Sequence, residues 1–193
     1  MTDADVVASL ASLDIDPSCS RKLYGFLDLF ARWNRSINLS AAANRGEVIE
    51  HLVDSLHVVP HLRGRSRILD VGSGGGFPVV ISAICLPEAE ITALEPVHKK
   101  HAFLRTAARE LGLGNLSAHA VRLDDHAVRD YDAATSRATF DLAEWLAVGA
   151  GCVSHGGIVL GFEAVRREDL PEKATRHPYA LLGKHRAIVS LQR

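Results

Sequence analysis

The 193-residue sequence predicts an α/β domain: a mostly parallel, doubly wound sheet that ends in an antiparallel hairpin and is preceded by a helical extension. Three observations predict it. Apolar residues in the first sixty positions recur at helical spacing. From Arg67 onward, short β-branched runs alternate with helical stretches, the sequence form of βαβ units. The last thirty residues hold a turn between two strand-like runs. Residues 1–62 are accordingly read as the helical extension and residues 63–193 as the sheet-bearing core.

After Pro17 and a capping serine at Ser18 or Ser20, the residues Leu23, Phe26, Leu27, Phe30 and Trp33 follow the i, i+3, i+4, i+7 spacing of an amphipathic helix. A polar connector, Asn34 to Asn44, leads to a second helix from Glu47. There Val48, Leu52, Leu56 and Val59 form one stripe, Glu50, His51, Asp54 and His57 lie off it, and Pro60 helps stop the helix. Strands are expected at Arg67 to Val71, Ile91 to Leu94, Leu116 to Ala120, Ala133 to Thr135 and Ile158 to Leu160. Helices are expected between them: Phe77 to Cys85, His98 to Leu111 closed by Gly112, a short one near Asp125 to Val128, and Leu142 to Val148. Tyr179 to Leu182, a Gly183-Lys184 turn and Arg186 to Leu191 give the hairpin.

Composition narrows the function. Twenty-two Lys+Arg against 23 Asp+Glu leave a net charge of −1, which excludes a domain that holds nucleic acid by bulk charge; any such partner must meet a local patch. Cys19, Cys85 and Cys152 lie far apart without a C-x-x-C, forming neither a disulfide framework nor a zinc site, and are read as small buried apolar groups suited to a reducing cytosol. Asp3, Asp5, Asp14 and Asp16 interrupt any apolar leader, and the run from Val79 to Leu86 is too short to span a bilayer. A cytoplasmic monomer without membrane attachment is expected. The ten histidines show no metal-ligand spacing, so no metal is assigned and surface or capping roles are expected for His51, His57 and His61.

The chemical signal is Leu69-Asp70-Val71-Gly72-Ser73-Gly74-Gly75-Gly76-Phe77-Pro78, a strand running into a glycine turn that opens a helix. Backbone N–H groups there can face an adenosine-bearing ligand. A dinucleotide fingerprint would place its third glycine at Phe77, whereas Gly72, Gly74 and Gly76 satisfy G-x-G-x-G, and no Gly-Lys-Ser/Thr of a phosphate-binding Walker loop follows. The pattern favours S-adenosylmethionine over NAD, with Glu95, about 20 residues on, placed to accept from the ribose hydroxyls or to cap the next helix. Arg122-Leu123-Asp124-Asp125, after the third strand, is expected at the carboxyl edge beside the first strand, where it flanks an adenine or caps a helix.

Together these residues resemble the bacterial RsmG/GidB family, Rossmann-like class I methyltransferases of guanine N7 in small-subunit ribosomal RNA. The resemblance covers roughly residues 23–161. It rests on Trp33-Asn34 with Asn38-Leu39, His51-Leu52-Val53-Asp54-Ser55, the glycine segment Asp70 to Pro78, Leu94-Glu95-Pro96, Lys99-Lys100 with Phe103-Leu104, and Ser136-Arg137-Ala138. It implies that Gly72, Phe77, Leu123, Asp124 and Arg137 surround the methyl donor or lie between donor and base, and that Lys99, Lys100 and Arg122 face RNA, free or in an assembling 30S particle. Two departures are Val79, where the family has glycine, and Phe162-Glu163, where it has Lys-Gly. They leave open a divergent methyltransferase of a small molecule or another RNA, or a donor-binding regulatory module without turnover.

Guanine N7 carries a lone pair in the neutral base, so methylation there needs positioning and water exclusion rather than a dedicated base. Arg137 is the candidate clamp on guanine O6 or a phosphate. Asp54 is the candidate carboxylate for the purine cation that forms, unless it bonds His51. Phe77 or Phe140 could stack on an extruded base or belong to the core. Residues 165–193, with seven Lys/Arg against three acidic residues, are expected to form a phosphate-binding rim with Lys99, Lys100, Arg105 and Arg122, unless these charges lie on solvated faces.

Overall fold

The computed structural model describes residues 1–193. The chain runs α1 (Asp3–Ser12), α2 (Ser20–Ile37), α3 (Arg45–Leu56), α4 (Val59–Leu62), β1 (Arg67–Val71), α5 (Val79–Cys85), β2 (Glu90–Leu94), α6 (His98–Glu110), β3 (Leu116–His119), β4 (Tyr131–Ser136), α7 (Leu142–Ala150), β5 (Val153–Glu163), β6 (Thr175–Leu181) and β7 (Lys184–Gln192). The sheet order is β3-β2-β1-β4-β5-β7-β6; β1 to β5 pair in parallel, and β7 joins β5 and β6 antiparallel. Strand order reverses between β1 and β4, and in open α/β sheets the crevice outside that point receives the ligand.

Helix α1 precedes the elements read from the sequence; three of its six apolar residues are alanines and Val7 faces solvent. Only Val6 and Leu10 are buried, and its start is fixed by the Asp5 carboxylate, which accepts from the Thr2 N–H at 2.7 Å. Asp16 accepts from the Ser18 N–H and begins a 3₁₀ turn, Pro17–Cys19, that leads directly into α2. Asn44 caps α3 by accepting from Glu47 N–H, and the expected stripe Val48, Leu52, Leu56 and Val59 is buried.

Pro60 does not stop α3. That helix ends at Leu56, and Pro60 lies in the first turn of α4, where a missing N–H costs nothing. The expected helix near Asp125 to Val128 is instead a 3₁₀ turn at Leu123–Asp125. The hairpin turns one residue earlier than expected: Leu181 pairs with Lys184, leaving Leu182 and Gly183 at φ +50° and +72°, the left-handed pair of a two-residue turn. Strand β3 is the sheet edge and is separated from β1 by β2; Leu123, in the loop that follows β3, packs on the apolar cluster that contains Leu69 and Val71 of β1.

One large core runs from the N-terminal helices through α5 and α6 onto the sheet, with Phe26, Phe30 and Phe103 fully buried at its centre. Truncating any of these rings would cost about 3–5 kcal/mol. A smaller core beneath α7 centres on Trp145, whose indole N–H donates to Leu160 O at 2.9 Å. Helices cover the faces of the central strands β1 and β4, whose carboxyl ends stay open at the point where strand order reverses.

Candidate functional site

Register brings three strand ends together. Val71 faces Leu94 across β1 and β2, and Asp70 faces Thr135 across β1 and β4, so Gly72, Glu95 and Arg137 leave the sheet at neighbouring points. Gly72 has φ +73°, and a Cβ there would sit 2.1 Å from Thr139 Oγ1; at Gly76, φ +88°, it would meet Val80 Cγ2 at 2.8 Å. Only glycine combines that backbone with that proximity.

Four N–H groups of the loop are already engaged within the chain. Those of Gly72 and Ser73 both donate to Leu94 O, at 2.9 and 3.1 Å, Gly74 N–H donates to Glu95 Oε2 at 2.8 Å, and Gly76 N–H donates to Ser73 O at 2.8 Å. A pyrophosphate would need those donors. The residues therefore fit an adenosyl ligand without phosphate, approaching over the open face of Gly74.

A cavity of about 380 Å³ opens on this loop, within the usual range of small-molecule sites. Of the residues expected at the donor, Gly72, Gly74, Phe77, Glu95 and Arg137 line it, and so does Lys100; Gly76 packs beneath, against Val80 and Phe26. Leu123, Asp124, Arg122 and Lys99 do not line it. Glu95 is buried. Its second oxygen accepts from Val97 N–H at 2.8 Å, so the carboxylate pins the glycine loop to the start of α6.

A second cavity, about 510 Å³, adjoins the first and shares His51, Arg137 and Ala138 with it; Glu50, Asp54, Phe140, Phe162 and Arg186 also line it. Arg137 forms the partition. Its guanidinium carbon lies 5.4 Å from the Phe77 ring centre and 5.8 Å from that of Phe162, and Nη1 donates to Asp54 Oδ2 at 3.2 Å and to His51 O at 3.3 Å. Burial pulls the guanidinium below its ordinary pKa, and the Asp54 charge opposes that shift.

Asp54 lies off the apolar stripe of α3 yet is buried, because the C-terminal hairpin covers it. Tyr179 Oη donates to Asp54 Oδ1 at 2.7 Å, and Arg186 Nε approaches the same oxygen at 3.8 Å. Asp54 does not bond His51; the His51 carbonyl instead accepts from Ser55 Oγ. Burial and the Asp54 charge together push the Tyr179 hydroxyl up, so it stays a donor, while burial and the Arg137 charge push His51 down. Beneath the partition, Asp70 accepts from Thr135 Oγ1 at 2.6 Å, and burial raises its carboxyl to about 6.

Phe77 is a core residue, packed edge-on against Phe26 and Phe30, and is not free to stack on a base; Phe140 stacks on Trp145 while still lining the larger cavity. The departures also acquire structural partners. Val79 is buried at the start of α5 without crowding it, Phe162 backs Arg137, and Glu163 binds Arg176 Nε through both oxygens at 3.0 and 3.1 Å.

The expected C-terminal basic rim is largely neutralised within the chain. Arg166 pairs with Glu168, Arg167 with Asp141 and Asp169, Arg176 with Glu163, and Arg186 with Glu50 and Asp54. Lys99, Arg105 and Arg122 remain exposed and outside any salt bridge. His57 closes α3 as its C-cap and stacks on Tyr179 at 3.8 Å between ring centres, while half-buried His61 lies 4.3 Å from His177. No helix is long and apolar enough to cross a membrane.

A profile of the family described as rRNA small subunit methyltransferase G matches residues 19–193. The chain belongs to this family. Family relatives include the ribosomal RNA small subunit methyltransferase G of Neisseria gonorrhoeae, 40% identical over 147 residues that cover 75% of this chain and 70% of that protein. That of Aromatoleum aromaticum is 34% identical over the full length of both chains. The fold is likewise shared with solved methyltransferases. An O-methyltransferase from Bacillus cereus in complex with SAH superimposes with a TM-score of 0.61 at 16% identity, covering 88% of this chain and 91% of that one. The methyltransferase G family thus presents here a Rossmann-like sheet with the two cavities meeting at Arg137.

Proposed function

We propose that the chain transfers a methyl group from S-adenosylmethionine to N7 of a guanine in small-subunit ribosomal RNA. The observation that carries this reading is the pair of adjoining cavities divided by Arg137: the smaller, over the glycine loop, suits the donor, and the larger suits an extruded purine. When bound, the donor supplies an activated methyl on a sulfonium. Gly72 and Gly74 let backbone approach it closely, and Glu95 holds the loop in that shape while a remaining lone pair faces the ribose side.

The residues around the base position it and keep water out. Arg137, packed against the Phe77 and Phe162 rings, is placed to donate to guanine O6, which lies beside N7 on the same edge. Asp54 acts through Arg137: with its charge already engaged by Arg137 and Tyr179, it is a positioning residue rather than a direct stabiliser of the purine cation. No proton leaves N7, so no general base is needed, and His51, depressed by burial, serves as a neutral wall. Lys99, Lys100 and Arg122 are the phosphate contacts of a substrate recognised mainly by shape.

Labelled donor supplied with protein-free ribosomal RNA, naked 30S particles and small metabolites tests the reading. Label must appear as 7-methylguanine in one of the RNA samples, and Arg137→Ala must abolish it while leaving donor affinity within a few-fold. Label in metabolites alone, or unaltered turnover by Arg137→Ala, overturns it.

A further inference from the structure

Two of the three cysteines, 66 residues apart in sequence, meet in the fold: Cys85 Sγ lies 4.0 Å from Cys19 Sγ with its S–H directed at it. Cys19 closes the 3₁₀ turn and occupies the N-cap of the 18-residue α2, where the helix dipole favours an anion. Cys85 is the last residue of α5, the helix that follows the glycine loop, and it is partly exposed. Neither thiol lines the donor cavity or its neighbour.

We propose that Cys19 and Cys85 form a redox modification site, a dithiol that closes to an intramolecular disulfide by exchange with a low-molecular-weight disulfide. Cys19 is the attacking thiolate because it sits at the N-cap of α2 and receives the Cys85 S–H, and that hydrogen bond draws its thiol below its ordinary pKa. Cys19 Sγ forms a bond to one sulfur of the small disulfide and expels the other half as thiolate. Cys85, giving up its proton, then attacks Cys19 Sγ and expels the second half. Two protein thiols are oxidised, one small disulfide is reduced to two thiols, and the two S–H protons end on those products.

The sulfurs must close from 4.0 Å to about 2.05 Å for the bond to form. Cys152 takes no part: burial raises its thiol, and its Sγ points at Val148 O at 3.7 Å. The bond would fasten the start of α2 to the end of α5, tying the helical extension to the donor half without entering the cavity.

The full chain is incubated with oxidised glutathione, unfolded and titrated for free thiols. The count should fall from three to one, with a tryptic peptide joining Cys19 to Cys85 and no glutathione retained. The cross-linked protein should melt about 5–15 °C higher, because a closed loop of this size restricts the unfolded chain, and should bind donor within two-fold of the reduced form. Cys85→Ser should stop at a stable glutathione adduct on Cys19. Three remaining thiols, a stable adduct in the wild type, a link through Cys152, or disulfide-linked dimers would each overturn the proposal. None of these readouts depends on methyl transfer, so the proposed activity and this site fail separately.

Discussion

Asp54→Asn changes one oxygen to an amide and tests how the partition between the cavities is held. Asparagine keeps the shape of the side chain and can still accept from Tyr179 through its carbonyl oxygen, but it removes the negative charge paired with Arg137 at 3.2 Å and leaves Arg186 with Glu50 alone. The pair is nearly enclosed: the Arg137 and Asp54 side chains keep 15% and 10% of their exposure. Removing one partner of a buried pair costs about 3–5 kcal/mol, and the residual exposure places this one near the lower end. For a chain of this length about 3 kcal/mol lowers the melting temperature by about 6–12 °C. Arg137 would also lose its anchor between Phe77 and Phe162, and a misplaced positioning group of this kind costs about 10²-fold in turnover. Melting curves are measured beside steady-state kinetics on the RNA substrate below the variant's unfolding range. The expected signature is a lower kcat with donor KM nearly unchanged, a double variant no worse than Arg137→Ala alone, and partial recovery in Asp54→Glu. A variant that melts and turns over like the wild type would refute the view that Asp54 acts through Arg137.

Other predictions follow from the same geometry. Gly72→Val places carbon where Thr139 already stands, on a backbone at φ +73°, so calorimetry should detect no donor binding while circular dichroism remains native; retained affinity would mean the loop does not hold the donor. Burial lowers His51 and His57 and brings His61 to about 4, so between roughly pH 6.5 and 4 the unfolded chain binds protons that the folded chain refuses. Asp70, raised to about 6, works the other way, gaining stability as pH falls through 6, but it is one group against three. Melting temperature should therefore fall from pH 7 to pH 4.5, and His61→Phe, which keeps a ring against His177, should reduce the fall; an unchanged slope would count against burial as the cause. Finally, RNA binding through Lys99, Lys100 and Arg122 alone gives a salt slope of about −2 on a log–log plot, from about 0.7 per phosphate on a single strand. A slope several times steeper would show that the paired C-terminal arginines release their partners on binding.

How much of this was legible depended on the range of the interaction. Gly72 and Gly76 announced the loop because their demands are local: a left-handed backbone, and a neighbour too close for a Cβ. The strand-helix alternation and the burial of Val48, Leu52 and Leu56 were equally readable from period alone. Arg137 was found through the family resemblance of Ser136-Arg137-Ala138, and its place at the end of a strand agrees with the clamp assigned to it. Tyr179 and Arg186 were missed as partners of Asp54, which lies 125 positions before that tyrosine, and no spacing rule connects them.

The opening fold class, a parallel sheet with a helical extension and an antiparallel end, was fixed by the sequence itself, because hydrophobic period and turn chemistry act over a few residues. So was the preference for a phosphate-free donor, since three glycines at alternate positions leave no room for the dinucleotide pattern. Tertiary structure alone decided the rest. It buried a carboxylate that the helical pattern left outside, by laying the C-terminal hairpin over α3. It paired most of the C-terminal arginines internally, and it brought Cys19 against Cys85. Each of these joins segments far apart in the chain, and such contacts depend on how the elements pack, which no local pattern specifies.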